Sequence, residues 1–158
     1  MKLTIVALGH KLPAWAQDAV ETYTKRMPPE CRIVIDQLKP EDRASKSTQT
    51  VLETEAARIE TAIAKHSKDA TRIVLDERGV MLTTMQLSTW LTGWLANGDA
   101  PIFIIGSADG LATSIKQKAH KTIAVSGFTL PHAMVQPLLC EQLYRAWSIT
   151  QNHPYHRE

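Results

Sequence analysis

Residue types suited to chemistry gather at three places in this chain of 158 residues, and each lies beside an apolar run. The first is Gly106-Ser107-Ala108-Asp109-Gly110, after Ile102–Ile105 and ahead of a helical pattern that opens at Ala112. Glycine lets a backbone turn sharply and approach a ligand closely, and a helix amino terminus offers free N–H groups. The spacing is not GxGxxG and lacks the Lys-Ser/Thr of a phosphate-binding loop. Taken alone it reads as a helix entry turn with Asp109 near the dipole. The second is Ser126-Gly127-Phe128-Thr129-Leu130-Pro131-His132, apolar where a connection is ordinarily polar. Such a loop either packs on a sheet or lines a pocket for a part-apolar ligand such as adenosine.

The third is the carboxyl terminus, Asn152-His153-Pro154-Tyr155-His156-Arg157-Glu158. Chain ends are usually poorly ordered and tolerant of change. This one collects two imidazoles, a phenol, a guanidinium and a carboxylate, a set suited to stacking on unpaired bases and gripping phosphate. His153 and His156 come without further ligands at metal spacing, so no metal site is expected. Upstream, Glu141 and Arg145 stand at i,i+4 and by themselves read as a surface ion pair.

The elements that must position these groups follow from periodicity. Lys2–Leu8, Cys31–Leu38, Thr71–Leu75, Ile102–Ile105 and Thr122–Val125 read as strands, the third ending at Asp76 in a turn through Gly79. Helical spacing covers Pro13–Met27, about Ser47–Lys65, Met85–Leu95, Ala112–His120 and Ala133–Ile149. Lys39–Lys46 is polar and charged, a loop. On Ala133–Ile149, Val135, Leu138, Leu139, Leu143 and Ala146 mark core packing. Alternating strands and helices predict an α/β fold with a parallel sheet covered on both faces, whose ligands bind beyond the carboxyl ends of the strands. Leu75–Gly79, Gly106–Leu111 and Ser126–His132 occupy those positions.

Composition narrows the class without naming a function. The chain is 44% hydrophobic and 22% charged, with no repeat and no linker-like stretch, which predicts a single domain over 1–158. A net charge of +2 permits an RNA partner without arguing for one. The apolar run Leu3–Leu8 is too short for a secretion signal, and no stretch approaches a bilayer span. Cys31 and Cys140 stand alone, and a reducing, cytoplasmic setting is expected.

Gln142-Leu143-Tyr144-Arg145-Ala146-Trp147-Ser148-Ile149, followed by the Asn152–Glu158 terminus, resembles the carboxyl end of the ribosomal large subunit methyltransferase H family, in the SPOUT superfamily. The opening Met1–Gly9 and the Thr129-Leu130-Pro131-His132 loop are similar to it too, so the resemblance spans essentially the whole chain. It implies a SPOUT methyltransferase fold with a carboxyl-terminal trefoil knot, a rare exception to the usual topology rules. It also implies an obligate homodimer, S-adenosyl-L-methionine as cofactor, and methylation of N3 of a pseudouridine in 23S ribosomal RNA on the assembled ribosome. Carried onto this sequence, the cofactor contacts are Leu75, Gly106, Val125, Ser126, Gly127, Phe128, Thr129 and Leu130. The catalytic and RNA-facing group is Arg145 with Tyr155, His156, Arg157 and Glu158, and in the dimer a tail can serve the partner's site.

Two positions depart from the family pattern. Ser107 stands where a second glycine is usual, adding a side chain where the backbone nears the methionine part of the cofactor. Gln136 stands for an arginine, removing a fixed charge that would steer RNA or stabilise developing negative charge. Methyl transfer requires nearly in-line geometry, so positioning leads and electrostatics follows. His156, Glu158 or water would take the N3 proton, with Arg145 stabilising an oxyanion on the base. Two other functions fit the same residues: a SPOUT methyltransferase acting on another RNA such as transfer RNA, and a ribosome-binding homologue without turnover.

Overall fold

A computed structural model describes residues 1–158, with five strands and five helices in strict alternation. They are β1 (Lys2–Leu8), α1 (Ala14–Arg26), β2 (Arg32–Leu38), α2 (Thr48–His66), β3 (Thr71–Met81), α3 (Thr84–Asn97), β4 (Pro101–Ile105), α4 (Thr113–Gln117), β5 (Lys121–Ala124) and α5 (His132–Thr150). The strands form one parallel sheet in the order β2-β1-β4-β3-β5.

The side-chain period of two in a strand divides the core into two layers. Leu3, Ile5 and Ala7 of β1 join Phe103 and Ile105 of β4 on one face, against Val20 of α1, Leu91 and Trp94 of α3, and Leu139 and Leu143 of α5. Val6, Leu8, Val74, Ile102 and Ile104 face the other way, onto Ile59 and Ile63 of α2 and Ile115 of α4. Burial on both faces is why β4 reads as an unbroken apolar run and β1 as one interrupted after Lys2 only by the buried Thr4, rather than as alternating ones. Phe103 is fully buried at the centre, and truncating such a ring to alanine costs about 3–5 kcal/mol.

Helix starts differ in a way that bears on the site. Ser47 caps α2, accepting the Thr50 N–H, and Thr83 with Gln86 forms a capping box on α3. By contrast α1, α4 and α5 begin after Pro13, Ala112 and Pro131 with no side-chain cap. Their leading N–H groups stay free at the carboxyl edge of the sheet.

One expectation from periodicity is corrected. β3 does not end at Leu75 but continues to Met81, re-pairing with β5 after a register shift between Leu75 and Val80. Gly79 makes this close pairing possible, since a Cβ there would lie 2.5 Å from the Ile123 carbonyl carbon. No helix is long and apolar enough to cross a membrane.

Candidate active site

The three loops expected at the strand ends do converge. Leu75 at the bulge of β3, Gly106–Leu111 after β4, and Val125 to Leu130 after β5 line one cleft of about 570 Å³, closed by His132 and Val135 of α5. That volume is in the usual range for a cofactor-sized ligand. Every residue expected to contact the cofactor lies on its wall except Gly127, which sits against Met81 instead. Gly106 is required by the loop itself: a Cβ there would stand 2.6 Å from the Gly110 carbonyl oxygen and 2.8 Å from Leu111 Cγ. The loop from Val125 is turned by Ser126, whose Oγ accepts the Phe128 N–H at 2.9 Å. Phe128 is left 85% exposed at the rim.

Periodicity gave no hint of the charged side of this cleft. Asp76 accepts the Arg78 N–H at 2.8 Å and pairs with Lys116 at 3.1 Å. The backbone N–H first, then the ammonium, hold its carboxyl below the usual range, so the cleft keeps an anion in mildly acidic conditions.

Ser107 does not point its hydroxyl at open space. It donates to Oε1 of Glu55 at 2.8 Å, and Glu55, only 2% exposed, also accepts the Glu41 N–H at 3.1 Å. Arg43 reaches Asp109 at 3.1 Å. The 39–46 loop is thereby strapped to the glycine loop at two points. Gln136 is likewise no free surface group: it is 2% exposed and donates to Gln37 Oε1 at 2.9 Å, while Gln37 donates to the Gly9 carbonyl.

The second expected group assembles at the other end of α5. Asn152, with φ 54°, and the His153 N–H bonded to the Ser148 carbonyl reverse the chain, so the tail folds back along the helix. Tyr155 packs edge-on against Tyr144 with ring centroids 4.7 Å apart, and its hydroxyl donates to Glu141 Oε1 at 3.1 Å. Arg145 stacks over the Tyr155 ring at 4.7 Å, forks onto Glu141, and points Nη1 at His156 Nδ1, 3.4 Å away. The expected surface pair Glu141–Arg145 is thus the half-buried centre of a network, its side chains 16% and 25% exposed.

Arginine can only donate, so His156 Nδ1 accepts and the neutral ring's proton sits on Nε2. That Nε2 is buried without a partner. Burial, the neighbouring Tyr23 hydroxyl and the Glu141 charge all raise the Tyr155 pKa, which keeps the phenol protonated as a donor. Arg157 and Glu158 are exposed. Arg26, unnoticed in the sequence, lies 5.4–5.9 Å from the Tyr23, Tyr144 and Tyr155 rings. No group of three or more His, Cys, Asp or Glu side chains is arranged to hold a metal ion.

The cleft and the tail network are far apart in one chain. Val135 lines the first and Arg145 anchors the second, ten residues along α5. At 1.5 Å per residue that is about 15 Å.

Comparison with known proteins bears on both regions at once. The family model described as "Predicted SPOUT methyltransferase" matches residues 1–156. The Ribosomal RNA large subunit methyltransferase H of Cupriavidus metallidurans is 54% identical over 99% of both chains. That of Ralstonia nicotianae is 55% identical over the same shares, and that of Polaromonas naphthalenivorans 54% over all of both chains. Among solved structures, a putative methylase family protein from Neisseria gonorrhoeae aligns with TM-score 0.54 at 16% identity, covering 99% of this chain and 85% of the other. A probable methylase family protein from Haemophilus influenzae Rd KW20 gives 0.55 at 11% identity, covering 99% and 70%. At such identities these two speak for the fold alone.

Proposed function

This chain belongs to the ribosomal RNA large subunit methyltransferase H family of SPOUT methyltransferases, and from that premise we propose that it moves the methyl group of S-adenosyl-L-methionine to N3 of a pseudouridine in 23S ribosomal RNA of the assembled ribosome. The observation that carries the reading is the cleft at the strand ends, walled by Leu75, Gly106 and the loop from Val125 to Leu130. Its apolar residues Leu75, Ile105, Val125 and Leu130 suit a purine face. The bare backbone at Gly106, where no Cβ fits, lets the glycine loop approach the amino-acid end. When bound there, the cofactor supplies an electrophilic methyl group.

The chain's own residues must hold an unpaired base over that cleft, lower the cost of charge on it, and take away one proton. Arg145 is permanently cationic, with a pKa raised by its bonds to Glu141, and stabilises negative charge developing on a base carbonyl. Tyr155 stays protonated and donates to Glu141, and His156 Nδ1 accepts from Arg145, so both hold the Arg145–Glu141 pair in place for the base rather than deprotonate it. The exposed Glu158 or water is left as the acceptor, and Arg157 is free to fork onto phosphate.

Val135 of the cleft and Arg145 stand about 15 Å apart along α5, more than one base spans. We therefore assign the working site to a homodimer in which the tail of one copy completes the cleft of the other. The exposed Phe128, Val80 and Met81 are consistent with a surface that a second copy covers. The same reading takes 1–158 as one domain, working in the cytoplasm, with a trefoil knot in its carboxyl-terminal half.

Incubating the protein with methyl-labelled cofactor and either intact ribosomes, isolated large subunits or transfer RNA tests the reading. Label is expected in large-subunit RNA of ribosomes. Label only in transfer RNA would move the function to another RNA. Cofactor binding by calorimetry with no transfer to any RNA would make the protein a binder without turnover.

A further inference from the structure

Beside the cofactor cleft runs a second concavity that the proposed reaction has not used. A cavity of about 510 Å³ lies between the β1–α1 turn, the end of β2 and α5, and one of about 720 Å³ continues it toward the glycine loop. The two share Gly9, His10, Lys11, Leu12, Lys39 and Pro40, so they form one groove. Its far end touches Ser107, Ala108 and His132, which also wall the cofactor cleft. Whatever lies in the groove therefore runs directly to the reacting centre.

The groove's free charge has one sign. Lys11 and Lys39 border both cavities, are exposed, and form no ion pair. The carboxylates nearby are already engaged. Glu41 is held by Lys46 and Arg58, Asp42 caps the Ala44 N–H, and Asp109 belongs to Arg43. The inner cavity has no carboxylate on its wall. It presents instead the exposed amides of Gln17 and Gln37, each with one protein partner per atom at most and so with hydrogen-bonding capacity left, above the buried Gln136. Pro13, His132 and Ala133 bring the uncapped starts of α1 and α5 to the same groove, adding partial positive charge. Paired ammonium groups over a floor of amides match a single-stranded polyanion whose bases offer hydrogen-bonding edges.

We infer that this groove seats the ribosomal RNA strand flanking the methylated base, with Lys11 and Lys39 on successive phosphates and the glutamine amides against an unstacked neighbouring base. The inference rests on the rRNA methyltransferase reading above and adds to it the surface that holds the strand. Neither lysine packs in the core, so Lys11→Gln with Lys39→Gln leaves the fold intact. Lys25→Gln with Lys68→Gln, two exposed lysines outside the groove, removes the same charge elsewhere.

Ribosome affinity and methyl-transfer kinetics of the three proteins are measured against salt. Loss of two phosphate contacts is expected to flatten the slope of log affinity on log salt by about 1.4. KM for ribosomes should rise tenfold or more while cofactor affinity and kcat stay within about twofold, and the control pair should match the wild type. An unchanged slope and KM in the groove variant would overturn the inference. So would an equal loss in the control, a loss of cofactor affinity, or dissociation of the dimer, which would give the groove to the second copy. A wild-type protein that methylates no ribosomal RNA would instead bring down the functional reading itself.

Discussion

At the scale of single residues, Gly106 was legible because only glycine suits a sharp turn between an apolar strand and a helix. The sequence did not say that the loop's own Gly110 carbonyl, not the ligand alone, fills the space a side chain would need. Gly106→Val is accordingly expected to weaken S-adenosylmethionine binding at least tenfold by calorimetry, about 1.4 kcal/mol. Unchanged affinity in a folded variant would remove Gly106 from the site. Ser107 taught the opposite lesson. Its departure from the family pattern could be seen, but its partner Glu55 is 52 positions away and nothing in the spacing links them. Ser107→Ala takes a hydrogen bond from a carboxylate that is 2% exposed, a loss of about 1–3 kcal/mol. It should lower Tm by several degrees, and an unaltered Tm would mean that water or a nearby donor replaces the hydroxyl.

At the scale of elements, most helices and strands followed from periodicity to within a residue or two, since nearly every element has a buried face to advertise, while α4 stops at Gln117, three residues short of the expected His120. Two misreadings have physical causes. β3 seemed to stop at Asp76 because Asp, Glu, Arg and Gly ordinarily mark a turn, yet the chain bulges there and resumes pairing with β5. The tail falls in the class of chain ends that are usually poorly ordered, but Asn152 turns it back onto α5 and Tyr155 packs on the core. Deleting Tyr155–Glu158 should therefore cost about 1–3 kcal/mol through the lost aromatic pair and the lost Tyr155–Glu141 hydrogen bond. For a chain of this size that is a Tm drop of several degrees. Cofactor affinity should survive, because the cleft lies about 15 Å along α5, while transfer to ribosomes falls a hundredfold or more. A truncated protein that methylates at the full rate would refute the role given to the tail.

At the scale of the whole molecule, the α/β class and parallel sheet were readable from alternation, whereas the strand order β2-β1-β4-β3-β5 was not, because order depends on contacts far apart in sequence. Charge distribution across the fold sets its pH window. The Glu60 carboxylate is held low by its fork with Arg72, and Asp76 by the Arg78 N–H and Lys116. Groups depressed in the folded state add stability that is complete above the unfolded carboxylate pKa, about 4, and is lost as pH falls through the folded values. Tyr155 runs the other way: its raised pKa favours the fold until unfolded tyrosine ionises near about 10, beyond which stability declines. Tm should thus hold from about pH 5 to 9 and fall on both sides, with a shallower alkaline fall in Tyr155→Phe; identical alkaline limbs would free Tyr155 from that role. Light scattering should give a particle of about twice 17.6 kDa. The central claim meets its most direct test in nucleoside mass spectrometry of ribosomal RNA after ribosomes lacking the modification are treated with this protein and S-adenosylmethionine. One N3-methylated pseudouridine in the large-subunit RNA is the expected product, absent when the tail is deleted. Methylation at a different base, or none with the cofactor demonstrably bound, would contradict it.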